Sequence, residues 1–215
     1  MKKSLAITAL FCLASAGAFG SDLGVNLPSS YPNYGTSVWN LGFSFQANSN
    51  ASVVGLGNFF DGSDDDYDYG SQQVGLWTSG GTLLASTYVS PSDPVTDSAW
   101  IFNAISPVEL TAGNEYVVGG QGGWDYTGVV VGATYSPDIS FITDLYSYTG
   151  TGNSPLTFPV DSEGYGSGAS GWFGGNIELA SSVAATPEPG SFLLLGSGLV
   201  AMIGVARRRR AASRS

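Results

Sequence analysis

The stretch Trp39-Asn40-Leu41-Gly42-Phe43-Ser44-Phe45 decides the fold class of this chain. Its large apolar residues occupy every second position, with small or polar residues between them. Side chains of a β-strand alternate between the two faces of the sheet, so this period of two predicts a half-buried strand. No apolar segment between residues 22 and 186 has the period of 3.6 residues that is typical of an amphipathic helix.

Further segments have strand-like patterns, and turn sequences rich in Gly, Pro, Asn and Asp separate them. The predicted strands are 52–60, 72–78, 82–89, 98–105, 115–121, 127–135, 139–146 and 172–180. Short strands in this number close most readily as an antiparallel sandwich. We therefore predict an all-β domain over residues 21–180, an antiparallel β-sandwich of jelly-roll type.

Two short segments predict specific packing. In Leu110-Thr111-Ala112-Gly113-Asn114-Glu115-Tyr116, the turn allows the Tyr116 hydroxyl to bond to the backbone, as in the tyrosine corner of sandwich proteins. Leu76 and Trp77 are neighbours on one strand and point to opposite faces. We expect the one that faces inward to pack in the core.

Charge is distributed unevenly along the chain. All seven Lys and Arg residues lie near the two ends, and no Lys, Arg or His occurs from residue 22 to residue 186. That stretch holds sixteen of the seventeen Asp and Glu residues, so its formal charge is −16. Nucleic-acid binding depends on Lys and Arg that neutralise phosphates, so we expect no nucleic-acid partner. The acidic surface favours cations or keeps the domain soluble.

The same composition excludes several kinds of catalysis. The single cysteine, Cys12, lies near the N-terminus, and the chain has no His. Ser-His-Asp triads, cysteine nucleophiles, Schiff-base lysines and His-ligated zinc are therefore excluded from the domain. We expect a non-catalytic protein, and a carboxylate-dependent glycan hydrolase is the enzymatic alternative.

The first twenty residues have the organisation of a signal peptide. Lys2 and Lys3 are followed by an apolar run over 5–14, which is too short to span a bilayer comfortably. Small residues then provide a cleavage site after Ala18 or after Gly20. We expect export through the Sec machinery.

The C-terminal end has three parts. A linker over 181–191 contains Pro187-Glu188-Pro189, an apolar segment over 192–206 predicts a short transmembrane helix, and a basic tail occupies 207–215. Four consecutive arginines, Arg207, Arg208, Arg209 and Arg210, would stop transfer and hold the tail in the cytoplasm. The domain would then face outward.

This tail resembles the PEP-CTERM sorting signal of Gram-negative, biofilm-forming bacteria in its motif, its helix and its basic end. The resemblance implies recognition by exosortase, a membrane transpeptidase-like cysteine protease, and removal of the tail near the motif. It implies an inner-membrane intermediate, then a cell-surface or extracellular-matrix protein. A plain C-terminal anchor is the alternative.

The middle of the chain is similar to an uncharacterised β-sandwich family common in PEP-CTERM proteins. It also resembles domains of unknown function that occur beside carbohydrate-active enzymes. The similarity covers about residues 37–120, through segments that include Leu41–Phe45, Val53–Gly57, Val74–Trp77 and Ser106–Gly113. It implies the fold and no established activity.

An acidic loop is the candidate metal site. Asp61, Asp64, Asp65, Asp66 and Asp68 place five carboxylates within eight residues, and Ca²⁺ prefers such oxygen ligands. The spacing does not fit an EF-hand, and a solvated turn is the alternative. We predict no other cofactor.

Aromatic side chains near loops are the candidate carbohydrate site, because aromatic rings stack on sugar faces. Trp124 and Tyr126 are the most loop-like of them, and exopolysaccharide is a candidate ligand. Packing in the core is the alternative role for these aromatic residues. Further candidates are Trp100, Trp172, Tyr31, Tyr34, Tyr146 and Tyr148. The alternative to a surface or matrix protein is thus a secreted carbohydrate-binding module, assisted by Ca²⁺ if the acidic loop binds it.

Overall fold

The structure is a computed structural model that describes residues 21–34, 38–60, 70–96, 99–122, 126–128, 132–150, 155–162 and 171–180. All regular elements in these ranges are β-strands. They are β1 (Ser21–Leu23), β2 (Val25–Asn26), β3 (Trp39–Ala47), β4 (Ala51–Phe59), β5 (Gln72–Thr78), β6 (Leu83–Val89), β7 (Val95–Thr96), β8 (Trp100–Leu110), β9 (Glu115–Gly120), β10 (Thr127–Gly128), β11 (Thr134–Tyr135), β12 (Ile139–Tyr148), β13 (Trp172–Phe173) and β14 (Gly175–Ala180).

Two five-stranded antiparallel sheets form the sandwich. One has the order β1-β14-β4-β8-β7, and the other has the order β12-β3-β9-β5-β6. Successive long strands mostly alternate between the two sheets, as they do in a jelly roll. The strand β12 is an addition to this arrangement, at the edge of its sheet beside β3. The predicted all-β, jelly-roll-like sandwich is confirmed.

The core lies between the sheets and draws on both. Phe43, Phe45 and Leu76 of one sheet pack in the same cluster as Leu56 and Ile177 of the other, and all five are fully buried. Burial of a Leu, Ile or Phe side chain contributes roughly 1.5–3 kcal/mol. The alternation along β3 therefore directs alternate large side chains into this core, as its sequence pattern predicts.

A short segment, 155–162, covers part of the outer face of the β3 sheet. Phe158 lies 5.9 Å from the ring of Trp77, and Asn40 donates a hydrogen bond to the Thr157 hydroxyl at 2.9 Å. Trp77 is therefore buried on the outer face, while Leu76 faces the core. The prediction of a half-buried strand is wrong at Asn40, which is 1% exposed, because this segment covers it.

The N-terminal segment of the domain is held by the last strand. Ser21 pairs with Ala180 and Leu23 with Glu178. Beyond this pairing, the buried Asn176 side chain accepts a hydrogen bond from the Val25 amide at 3.0 Å and donates one to the Val25 carbonyl at 2.9 Å. Asn176 thus continues the strand pairing with its side chain.

Turns occur where the glycine-containing signals predict them. Gly81 and Gly113 both have a φ of 83°, in the left-handed region that glycine adopts without a steric penalty. The Tyr116 hydroxyl accepts a hydrogen bond from the Thr111 amide at 2.9 Å. The predicted tyrosine corner is confirmed.

The predicted strand 127–135 is wrong as a single element. Thr127–Gly128 pairs with Trp172–Phe173, whereas Thr134–Tyr135 pairs with β2. Gly132, with a φ of 93°, lies in a turn before Thr134. The chain therefore changes partners within this segment. The sequence also did not predict β1, β2 or β7, which have two or three residues each.

The structure contains no helix long and apolar enough to cross a membrane in the ranges given above. The predicted transmembrane segment 192–206 and the basic tail lie outside them, as does the predicted signal peptide.

Tyr135 should make stability depend on alkaline pH. Its hydroxyl is buried without a hydrogen bond to the described residues, and burial raises the pKa of Tyr135 from 10.0 to about 12. The pKa of Tyr135 is higher in the folded state than in the unfolded state. The contribution of the neutral Tyr135 to the free energy of unfolding is therefore complete below pH 10 and is lost as the pH rises through about 12. Urea unfolding should show that the free energy of unfolding falls less over this pH interval for Tyr135→Phe than for the wild type.

The control is Tyr88→Phe, because Tyr88 is 59% exposed. Equal alkaline losses in the Tyr135→Phe variant and the wild type would contradict the assignment.

Candidate functional site

A pocket of about 180 Å³ is the candidate site. Of the residues that the structure describes, four aromatic side chains and one leucine line it, namely Trp39, Leu41, Tyr126, Tyr146 and Trp172. Leu41 and Trp39 occupy the same face of β3 as the core residue Phe43, because they are two and four residues away along the strand. The pocket therefore continues the core face of β3 beyond the packed interior.

One side of the pocket is a cluster of three rings, Tyr34, Tyr126 and Trp172. Tyr34 and Tyr126 form an isolated antiparallel bridge with two backbone hydrogen bonds of 3.0 Å. Their rings stack at 5.3 Å with an interplanar angle of 21°, and Trp172 is tilted against each at 5.7 Å. Backbone pairing thus fixes the positions of the two tyrosines. Each aromatic pair contributes about 0.5–1.5 kcal/mol of stabilisation beyond the burial of its surface.

The other two aromatic lining residues, Trp39 and Tyr146, form a second cluster with Tyr148. Trp39 contacts Tyr146 at 5.4 Å and 88°, and Tyr148 at 4.9 Å and 62°. The register of β12 on β3 places Tyr148 opposite Trp39 and Tyr146 opposite Leu41. Tyr148 is 65% exposed, so this cluster reaches the surface.

Trp172 owes its position to a glycine in the neighbouring strand. Gly128 of β10 is its direct partner across the two-stranded sheet, and a Cβ atom at Gly128 would collide with the Trp172 ring. The adjacent Thr127 is buried, and its hydroxyl donates a hydrogen bond to the Pro32 carbonyl at 2.6 Å. β10 therefore links the segment that carries Tyr34 to the strand that carries Trp172.

The polar groups near the pocket are hydroxyls and aspartates. Burial, and then the neighbouring Tyr34, raise the pKa of Tyr126, so its phenol stays protonated and can donate a hydrogen bond at neutral pH. Asp144 is fully buried on β12, two residues before Tyr146, and its carboxylate accepts hydrogen bonds from Thr143 at 3.2 Å and Ser162 at 3.3 Å.

The structure places only part of the predicted site. Tyr126 lines the pocket, whereas Trp124 lies outside the described residues. The acidic loop, Asp61, Asp64, Asp65, Asp66 and Asp68, also lies outside them, as do Pro187, Glu188, Pro189, Arg207, Arg208, Arg209 and Arg210. Within the described ranges, no group of three or more acidic, His or Cys side chains could hold a metal ion.

The aromatic candidates divide into three outcomes. Tyr34, Tyr146, Tyr148 and Trp172 join Tyr126 in the two clusters around the pocket. Trp100 is fully buried against Phe59, and its interpretation as a loop aromatic is wrong because β8 begins there with its side chain in the core. Tyr31 packs on the same Phe59 at 5.7 Å.

The sequence did not indicate Trp39 and Leu41 as site residues. Their alternation with Phe43 and Phe45 predicts core packing, and the pattern contains no sign of where the covered part of the strand ends. The pocket offers four aromatic rings, one of them a protonated phenol. This arrangement suits a ligand that combines an apolar face with hydrogen-bonding groups.

Gly128→Ala should remodel the pocket without removing any aromatic side chain. The new methyl group would displace the Trp172 ring, and overpacking of this kind costs about 1–3 kcal/mol. We expect a changed near-ultraviolet circular dichroism spectrum and a lower urea midpoint. Gly80→Ala is the control, because a Cβ there has only the Thr78 hydroxyl nearby, at 3.9 Å. An unchanged spectrum in Gly128→Ala would contradict the packing described here.

Comparison with known proteins identifies two parts of the chain. The PEP-CTERM protein-sorting motif matches residues 185–210, which marks the chain as an exported protein that exosortase sorts at the membrane. No curated protein matches the chain in sequence, and no solved structure matches it. The family model of a domain of unknown function, DUF4082, matches residues 26–157, which is more than half of the chain. This match is longer than the similarity over residues 37–120 that the sequence suggested. The chain therefore belongs to the DUF4082 family and ends in a PEP-CTERM sorting motif.

Proposed function

We propose that this protein is a non-catalytic component of the cell surface or the extracellular matrix of a biofilm, and that its β-sandwich binds exopolysaccharide. The observation that carries the proposal is the pocket with four aromatic rings in its wall. Aromatic faces stack on the C–H faces of sugar rings, and pocket hydroxyls bond to sugar hydroxyls.

The size of the pocket supports a single sugar residue as the unit of recognition. Pockets that enclose a drug-sized ligand have volumes of roughly 300–1,000 Å³. The volume here is about 180 Å³, and the lining residue Trp39 contacts the exposed Tyr148. A polysaccharide would insert one ring and extend over the neighbouring surface.

The distribution of carboxylates supports a non-catalytic role. Glycoside hydrolysis by the common mechanism needs two carboxyl groups flanking the scissile bond. Asp144 is the one buried carboxylate in the described part of the chain, and hydroxyls of Thr143 and Ser162 bond to it. Residues 22–186 also lack the His, Lys and Cys that other hydrolytic mechanisms use.

The two ends of the chain support delivery to the cell surface. We propose that the signal peptide directs Sec export, that the apolar segment 192–206 and Arg207–Arg210 hold an inner-membrane intermediate, and that exosortase then removes the tail. The sorting motif supports the last step. The product would keep the β-sandwich and be retained at the cell surface or in the matrix.

Processing can be tested on protein isolated from the native host. Mass spectrometry should find a mature chain that begins after Ala18 or Gly20 and lacks Arg207–Arg210. Replacing Pro187 and Glu188 with alanine should leave a longer product in the membrane fraction. An intact arginine-rich tail in the wild-type product would contradict sorting and leave plain anchoring.

Saccharide binding can be tested on a glycan array. The wild type should bind at least one polysaccharide, and Trp172→Ala should weaken binding about tenfold, since one stacking contact contributes roughly 1.4 kcal/mol. Tyr88→Ala is the matched control, because Tyr88 is an exposed aromatic residue on β6 outside the pocket.

Parallel arrays with EDTA test assistance by Ca²⁺. Loss of binding with EDTA would support a role for the acidic loop, whereas unchanged binding would confine recognition to the aromatic pocket. Absence of binding to every polysaccharide would overturn the proposed function.

A further inference from the structure

The charge around the aromatic pocket restricts which sugars could enter it. From residue 22 to residue 186 the chain has sixteen acidic and no basic side chains. A uronic acid or a sulfated sugar would therefore find no cation to neutralise it, and the summed field of the domain would repel it. A neutral sugar would not experience this field, and a cationic sugar would be attracted.

The walls of the pocket also favour a cation. The face of an aromatic ring carries partial negative charge, and an ammonium group over Trp or Tyr is stabilised by about 0.5–2 kcal/mol. Trp39, Tyr126, Tyr146 and Trp172 bring four such rings around one pocket. Several aromatic rings around a small volume are the arrangement that recognises ammonium ligands in proteins.

Two aspartates lie near Tyr146 along the backbone, one on β12 and one in the segment 155–162. Asp144 is on the same face of the strand as Tyr146, opposite Phe43 in the register. Asp161 forms an isolated antiparallel bridge with Tyr146, through a hydrogen bond of 2.8 Å from the Tyr146 amide to the Asp161 carbonyl. Both residues adjoin Tyr146 through the backbone, and their charges add to the negative field of the domain.

We infer that the pocket takes a sugar residue that bears an ammonium group, as in an aminated or partly deacetylated polysaccharide. The inference rests on the proposed function and specifies its ligand. The sugar ring would stack on the indole and phenol faces, and its ammonium group would be held by those faces and by the acidic surroundings.

The test compares three hexasaccharides of equal length on the full chain in detergent. They are a glucosamine hexamer, an N-acetylglucosamine hexamer and a galacturonic acid hexamer, which are cationic, neutral and anionic. Titration calorimetry at low salt should show the glucosamine hexamer binding about tenfold tighter than the neutral one. The anionic hexamer should show no binding. Raising the salt concentration should reduce the preference, because it screens the field of the domain.

Pocket variants separate recognition from attraction to an acidic surface. Trp39→Ala and Trp172→Ala leave the charge of the domain unchanged. The two residues lie in different sheets, so if one variant fails to fold the other can still be compared with the wild type. Each should remove the preference for the ammonium sugar, whereas Tyr88→Ala should retain it. Circular dichroism establishes that the variants are folded. Equal glucosamine binding by a folded pocket variant and the wild type would overturn the inference.

Tetramethylammonium supplies a probe without a sugar. It should compete with the glucosamine hexamer in the wild type and quench tryptophan fluorescence, and Trp39→Ala should weaken both effects. Equal affinity for the neutral and cationic hexamers would overturn this inference and leave the proposed saccharide binding intact. No binding of any hexamer, together with an empty glycan array, would overturn the proposed function as well.

Discussion

The alternation of side chains along β3 connects the core of this protein to its candidate site. Phe43 and Phe45 enter the space between the sheets, and the same face of the same strand continues to Leu41 and Trp39. Hydrogen bonding to β9 on one side and β12 on the other fixes this register. A shift of one residue would exchange the two faces, so the core and the pocket would be lost together. The geometry of the site is therefore a consequence of the geometry of the core.

The absence of basic residues from the domain has a second consequence for its architecture. Acidic side chains have no basic ion-pair partner between residues 22 and 186. Within this stretch, their carboxylates can therefore accept hydrogen bonds only from uncharged donors such as hydroxyls, amides and the backbone. Asp22 accepts a hydrogen bond from Ser136 at 2.7 Å, and Asp138 accepts one from Ser49 at 2.6 Å. Asp144 is buried among hydroxyls in the same way. Between residues 22 and 186, no basic side chain is therefore present to compensate the negative charge of the acidic ones.

The sequence predicts the fold well and the site only in part, for a physical reason. Period-two patterns and glycine turns are local, so they predict the long strands and the Tyr116 corner. The pocket instead depends on residues that are distant in sequence, such as Trp39 and Trp172, and no local pattern indicates that they meet. The burial of Asn40 likewise depends on Thr157, which is distant in sequence. The sorting motif was recognised because its residues are contiguous.

The pairing of the first and last strands lies inside the segment that the predicted cleavages would leave. Ser21 pairs with Ala180, and Asn176 holds Val25, so both ends of the domain are fixed in one sheet. Cleavage after Ala18 or after Gly20 would leave β1 complete, and removal of the tail near Pro187 would leave β14 complete. The pocket residues lie between positions 39 and 172, and neither cleavage would remove one of them. The proposed sugar site would therefore have the same lining residues in the membrane intermediate and in the mature protein.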